Sequence, residues 1–233
     1  MASIEVKNIT KYFGKLKALD DVSFVVEDGG SFGLVGESGS GKTTLARIIL
    51  RLIRASGGEV VYNPSFSRRE YQIVFQNPYT SLNPRIKIGE ALAEPLKIHK
   101  VARDIKELLY QVELNESYAD RYPHELSGGE RPRLCIARAI SISPKFIVLD
   151  EPVSSLDMTV QLEILKLLKK LKAGLGLTFL LIAHDLSVVR FMCDRVAVMQ
   201  GGKMVETGGV EEVYTNPKEP YTKLLLESIP RLS

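Results

Sequence analysis

The sequence predicts an α/β fold: a parallel sheet with helices on it, a flanking antiparallel β region and an inserted helical segment. Three observations carry this. SFGLV, strand-like, runs into the Gly-rich stretch GESGSGKT and then into a segment with apolar residues at helical spacing (Leu45, Ile48, Ile49, Leu52, Ile53). FIVLD and TFLLIAH are continuous apolar runs of the kind found in parallel strands buried on both faces. Between about 78 and 127 the character shifts to a Pro/Asn-rich loop followed by segments of helical spacing near 88–98 and 102–113.

The remaining elements follow in chain order. IEVKNI and VSFVV alternate apolar and polar residues and read as short strands. ASGGEV is a turn leading into a further strand, and YQIVFQ is a strand ending in Gln76. The segment after LSGGERPR is helical (Leu134, Ile136, Ala137, Ile140). Another helix carries Val160, Ile164, Leu167, Leu168 and Leu171 and is expected to stop at Gly174. VAVMQGGKMVET reads as a hairpin with Gly-Gly at its tip, expected to join the N-terminal strands in the flanking sheet. Two short helices around NPKEP close the chain. The expected division is one domain over 1–233, with 1–77 and 140–233 forming the core and β region and about 78–139 the helical insert.

Composition excludes several classes. The chain has 233 residues, 45% apolar, enough for a sizeable core. Its net charge of +3 is small, with acids and bases interspersed, so no nucleic-acid partner is expected. No stretch approaches the roughly 18 apolar residues of a membrane span. MASIEVKNIT lacks the apolar core of a signal peptide. The two cysteines, Cys135 and Cys193, have no metal-ligand spacing, fit a reducing compartment and are expected to be buried thiols.

The chemistry-bearing motifs begin with Gly36–Thr43. It satisfies G-x-x-x-x-G-K-[ST] between a strand and a helix, the context this motif requires. Backbone N–H groups there can wrap the β- and γ-phosphates, Lys42 supplies a compact positive charge, and the Thr43 hydroxyl can ligate Mg²⁺. FIVLDE ends in two carboxylates: Asp150 to meet Mg²⁺, and Glu151 where a base could polarise an attacking water. His184 ends TFLLIAH, at the carboxyl-end crevice of the sheet, and could donate to a γ-phosphate. Gln76 could position water, bind Mg²⁺ or be an exposed strand end. Ser127 opens S-x-x-E, a capping box with Glu130, and a cap also opens an anion site. Asp157 has an N-cap reading as well.

The order of these motifs, GESGSGKT, Gln76, LSGGE, FIVLDE, SSLD and His184, is similar over essentially the whole chain to the ABC transporter ATPase subunits. LSGGE discriminates them from ordinary phosphate-loop kinases and GTPases. The resemblance implies an α/β P-loop NTPase with a RecA-like parallel sheet core, an antiparallel β subdomain and an inserted α-helical subdomain. It implies ATP and Mg²⁺ as ligands. Gly36, Ser38, Gly39, Ser40, Gly41, Lys42, Thr43 and Thr44 would hold the nucleotide, and Phe13 in KYFGK would stack on adenine in preference to Tyr12. Ser127, Gly128 and Gly129 would touch the γ-phosphate held by a second ATPase subunit, homologous or identical, in a head-to-tail dimer, and Asp157 would reach across it. Lys42, Gln76, Glu151 and His184 would be catalytic, with Thr43, Gln76 and Asp150 at the metal.

The helical insert with the Gln76 loop would receive an integral membrane permease subunit, placing the chain peripherally at the cytoplasmic face of the cell membrane. An extracytoplasmic solute-binding protein would be an indirect partner. FQNPYTSLNPR, DEPVSSLD and NPKEPYTKLLLESIP further resemble the peptide/nickel-uptake subfamily of oligopeptide and dipeptide permeases. Nickel or oligosaccharide uptake, or a soluble non-transport ABC ATPase, are the alternatives. Two cysteines cannot form the Cys₄ set of an iron–sulfur cluster.

One departure stands inside LSGGERPR: the family usually has Gln at Pro132. Counted from an N-cap at Ser127, Pro132 would be the fifth helical residue, without the N–H for Gly128 and with its ring against that carbonyl. A loosened first turn, or a helix that effectively starts near Pro132, is expected.

Overall fold

The computed structural model describes residues 1–75 and 82–227. The chain divides into two compact units, residues 1–66 with 178–233 and residues 67–177.

In the first unit, β1 (Ala2–Phe13), β2 (Leu16–Glu27) and β4 (Gly57–Tyr62) form an antiparallel sheet in the order β2-β1-β4. Alternation decides its inner face: Ile4, Val6 and Ile9 of β1 and Leu19, Val22, Phe24 and Val26 of β2 are buried. A second sheet centres on β3 (Ser31–Val35), parallel to both β7 (Thr178–Ala183) and β8 (Arg195–Gln200). Every residue of β3 and β7 is buried, as the continuous apolar runs require.

The hairpin placement differs from the sequence expectation. Strand β9 (Lys203–Gly209) pairs antiparallel with β8, so the hairpin extends the parallel sheet and is no part of the flanking one. The reason is visible in Val196, Ala197, Val198 and Met199, four consecutive buried residues that suit an interior position beside β3. The turn uses Gly201 (φ 56°) and Gly202 (φ 81°), as a tight hairpin needs.

Helix α1 (Lys42–Ile49) follows β3, and α6 (Leu186–Met192) packs on it. That packing is close: a Cβ at Gly33 would lie 2.4 Å from Cγ1 of Val189. Helices α7 (Val210–Thr215) and α8 (Pro220–Glu227) complete the unit.

In the second unit, β5 (Tyr71–Val74) and β6 (Phe146–Asp150) pair in parallel. Helices α2 (Ile88–His99), α3 (Ile105–Gln111) and α4 (Glu130–Ile140) pack through Leu92, Leu108, Leu109, Leu134 and Ile140, all buried. Helix α5 (Met158–Leu175) passes through Gly174 and ends instead at Gly176, which takes the left-handed C-cap conformation (φ 62°, ψ 39°). The later glycine stops it because Leu171 is still buried one turn earlier, which anchors the last turn.

Replacing Gly33 by Ala should overpack the α6–β3 contact. It is expected to destabilise the protein by about 1–3 kcal/mol, read as a lowered urea midpoint.

Candidate nucleotide site

The first unit supplies a phosphate loop. Gly36 leaves β3 with φ 150°, and a Cβ there would sit 2.1 Å from the carbonyl oxygen of Met199. Gly41 (φ 103°) precedes α1, and a Cβ there would sit 2.7 Å from the carbonyl oxygen of Ala18. Both glycines are therefore sterically required. Gly39 (φ 81°) is required by its backbone alone. Between them Ser38, Gly39, Ser40 and Gly41 wrap into the N-terminus of α1, with Lys42, Thr43 and Thr44 in its first turn, where the helix dipole favours an anion.

Lys42 is 5% exposed, and its ammonium donates to Gly36 O (2.6 Å), Glu37 O (2.8 Å) and Ser40 Oγ (3.2 Å). The loop is braced from outside by the β8–β9 turn, where Gly202 N–H donates to Ser40 O (3.2 Å). Val35 pairs with Ala183, so Gly36 and His184 leave neighbouring parallel strands at the same end. His184 is exposed there, and Asp185 caps α6 through Ser187 N–H (2.7 Å). Phe13 and Tyr12, at the end of β1, are both about half exposed.

In the second unit Asp150 ends β6 and is 6% exposed. Glu151 follows with φ 48°, a left-handed backbone that a glutamate rarely adopts and that here turns the chain sharply at the strand end. Ser154 N–H and Oγ–H both donate to the Glu151 carbonyl (3.4 and 3.2 Å), which closes this turn.

Asp157 is the N-cap of α5: its Oδ1 accepts from Thr159 N–H (3.1 Å) and Val160 N–H (3.0 Å). It shares a recess of about 420 Å³ with Ser127, Gly128 and Gly129, so the structure brings these four residues together. Gly129 fits tightly, since a Cβ would lie 2.9 Å from Cγ1 of Val160. Gln76 lies outside the described residues.

Helix α4 starts at Glu130, with Gly129 and not Ser127 as its N-cap. Pro132 is then the third helical residue, within the first turn, where an N–H has no intrahelical partner to lose. Just before it, Arg131 N–H donates to Ser127 O at 3.4 Å. Glu130 Oε2 accepts from Ser127 N–H (2.7 Å), which ties the turn to the helix. Its other oxygen accepts from the Tyr118 hydroxyl. Tyr118 first, then Ser127, hold the Glu130 carboxyl below the usual carboxylate range against its partial burial.

Sequence reasoning missed Tyr118, and it missed Arg133, which lines the recess and donates to Val112 O and Glu113 Oε2. It also missed Tyr221, whose hydroxyl accepts from Glu37 N–H in the phosphate loop (3.0 Å). No spacing rule links residues so far apart in the chain. Cys135 is a buried thiol as expected, pushed up to about 12 by desolvation.

The family model for ABC transporters matches residues 19–154, more than half of the chain. This protein belongs to the ABC transporter family. The model for the oligopeptide/dipeptide transporter C-terminal region matches residues 205–233. Over 97% of its length the chain is 46% identical to an oligopeptide transport ATP-binding protein of Bacillus subtilis, covering 82% of that protein. It is 44% identical to a dipeptide transport ATP-binding protein of Lactococcus lactis, again over 97% of this chain and 81% of the relative. Among solved structures, an ATP-binding cassette captured as a dimer with ADP and Pi is 30% identical and superposes with TM-score 0.76, over 89% of this chain and 98% of that one. The ABC subunit cbiO1 of Clostridium perfringens superposes with TM-score 0.81 at 25% identity, over 92% and 91% of the two chains. These matches establish an ABC ATPase with the α/β P-loop fold.

The Ser127 amide should report the Glu130 contact directly. Its proton shift is expected to titrate with a midpoint below the ordinary glutamate value of about 4.3. The stability this turn supplies is present above that ordinary value and is lost as pH falls through the lower folded midpoint. In Glu130→Gln the titration should vanish, as an amide-proton NMR titration would reveal.

Proposed function

We propose that this ABC ATPase powers an importer of di- and oligopeptides from the cytoplasmic face of the membrane. The observation that carries the reading is that one chain has two separate Gly-rich turns ahead of helices, which we read as the two halves of an anion site. One is the phosphate loop, with Lys42 already held at its mouth; the other is the Ser127–Gly129 turn with Asp157. Neither half repeats the chemistry of the other, so a second ATPase subunit, placed head-to-tail, completes each site. The peptide transport role of the relatives and the C-terminal region match support the choice of cargo.

The residues fit the nucleotide. The cradle at Gly36 and Gly41 is one that a Cβ would fill, and the lysine's present carbonyl partners can be exchanged for phosphate oxygens. Thr43 and Asp150 offer hard oxygen donors of the kind Mg²⁺ takes, and a bound Mg²⁺ would neutralise developing phosphate charge.

On this reading Ser38–Thr44 bind and orient the phosphates, and Phe13 stacks on the adenine. Glu151 accepts a proton from the attacking water, and its turned backbone fixes where that carboxylate points. His184 donates to the γ-phosphate, Gln76 contributes to water or Mg²⁺, and the partner's Ser127–Gly129 turn completes the cage around the γ-phosphate.

Among the described residues no helix is long and apolar enough to cross a membrane; on this reading the chain attaches through permease subunits. A cavity of about 260 Å³ in the second unit, lined by Phe75, Leu82, Pro95, His99, Arg138 and Ile142, is the place proposed for them. Phe75 is exposed there, an apolar anchor that a docking element would cover.

Glu151→Gln should trap ATP and slow turnover by about 10²- to 10⁴-fold; near-normal hydrolysis in a phosphate-release assay would sink the base assignment. Membrane association is expected only when permease subunits are co-expressed. Phe75→Glu should reduce it in a fractionation assay while leaving ATP binding by the chain alone intact.

A further inference from the structure

The C-terminal region reaches the phosphate loop by a route that neither the motifs nor the catalytic reading uses. Glu206, on β9, is 9% exposed and faces the start of α8. Its two carboxylate oxygens accept from Lys218 N–H (2.9 Å) and Glu219 N–H (3.2 Å), the free donors just ahead of that helix. Burial pushes this carboxyl up, yet the donors outweigh it and keep the group below the ordinary glutamate range. A buried charge held this way fixes where α8 begins. Two residues further on, Tyr221 places its hydroxyl on Glu37 N–H at 3.0 Å.

The peptide unit that receives this contact is held at both ends. Its N–H is that of Glu37, on Tyr221; its carbonyl is that of Gly36, on the Lys42 ammonium at 2.6 Å. The preceding Cα is Gly36, wedged against the Met199 carbonyl. The orientation of one peptide plane thus sets both the entry of the loop and the carbonyl against which Lys42 rests. Donor and acceptor polarise each other through such a chain of bonds.

We infer that Tyr221 is a positioning residue for the phosphate loop, anchored through Glu206, so that the C-terminal region helps to set the loop for the β- and γ-phosphates. Tyr221 acts through the Gly36–Glu37 peptide, and the inference rests on nucleotide binding by this loop. Without the hydroxyl the peptide plane loses one of its two ties, and ordering the loop around a polyphosphate becomes less favourable. Adenine contacts at Phe13 are untouched.

The test compares ATP and AMP binding to the full chain by calorimetry, alongside thermal unfolding without nucleotide. Wild-type chain that binds no ATP would overturn the nucleotide reading itself, separately from this inference. In Tyr221→Phe the Kd for ATP is expected to rise by about 2- to 10-fold, the effect of one net hydrogen bond. The Kd for AMP, which lacks the β- and γ-phosphates, should stay at its wild-type value. Glu206→Gln, which keeps the shape but weakens the anchor, should shift ATP affinity in the same direction by less. An unchanged ATP Kd in Tyr221→Phe would overturn the proposal. So would an equal loss for ATP and AMP accompanied by a lower midpoint, since that is general destabilisation.

Discussion

A phosphate loop must offer backbone N–H groups to a ligand at the end of a strand that is otherwise fully paired and buried. That requirement shapes the structure around Gly36. Strand β3 is locked between β7 and β8, so its exit point cannot move, and the carbonyl of Met199 fills the space where a side chain would go. The loop then closes on Gly41 against Ala18 and Leu19 of β2, which brings the flanking antiparallel sheet into the same support. The hairpin contributes from its tip, through Gly202 on Ser40. A loop of small residues with little cohesion of its own is thus rigid because three surrounding elements leave it one path.

The same logic explains why Lys42 is tolerated at 5% exposure. A buried ammonium without partners would be strongly unfavourable. Here two carbonyls and a hydroxyl replace its water, and each can be exchanged for a phosphate oxygen. The recess at Ser127–Gly129 is built differently. Gly129 packs on Val160, Asp157 caps α5, and Glu130 with Tyr118 fixes the turn that carries Ser127. The phosphate loop depends on a strand end and the recess on two helix starts.

Pro132 shows how a local rule and a fold can be reconciled. Counted from Ser127, proline breaks a helix; counted from Glu130, it falls where a missing N–H is harmless. The chain adopts the second count, leaving Ser127–Gly129 as a turn outside the helix. Gly174 and Gly176 make a similar pair. Both are plausible stops, but only the second takes a left-handed conformation, because tertiary packing of Leu171 holds the helix past the first.

The sequence by itself determined the fold class and the family. Those depend on spacing along the chain: Gly36 to Thr43, the buried runs of β3, β6 and β7, and the order of LSGGE, FIVLDE and His184 are all local patterns. Only the tertiary structure decided which sheet the 195–209 hairpin joins, because pairing with β3 is set by a partner far away in the chain. It likewise decided that α4 begins at Glu130, that Tyr118 meets Glu130 and that Tyr221 meets the Glu37 amide. Those tyrosines carry no motif. Each makes a hydrogen bond whose two ends meet only after strands and helices have packed, and such contacts leave no periodicity to read.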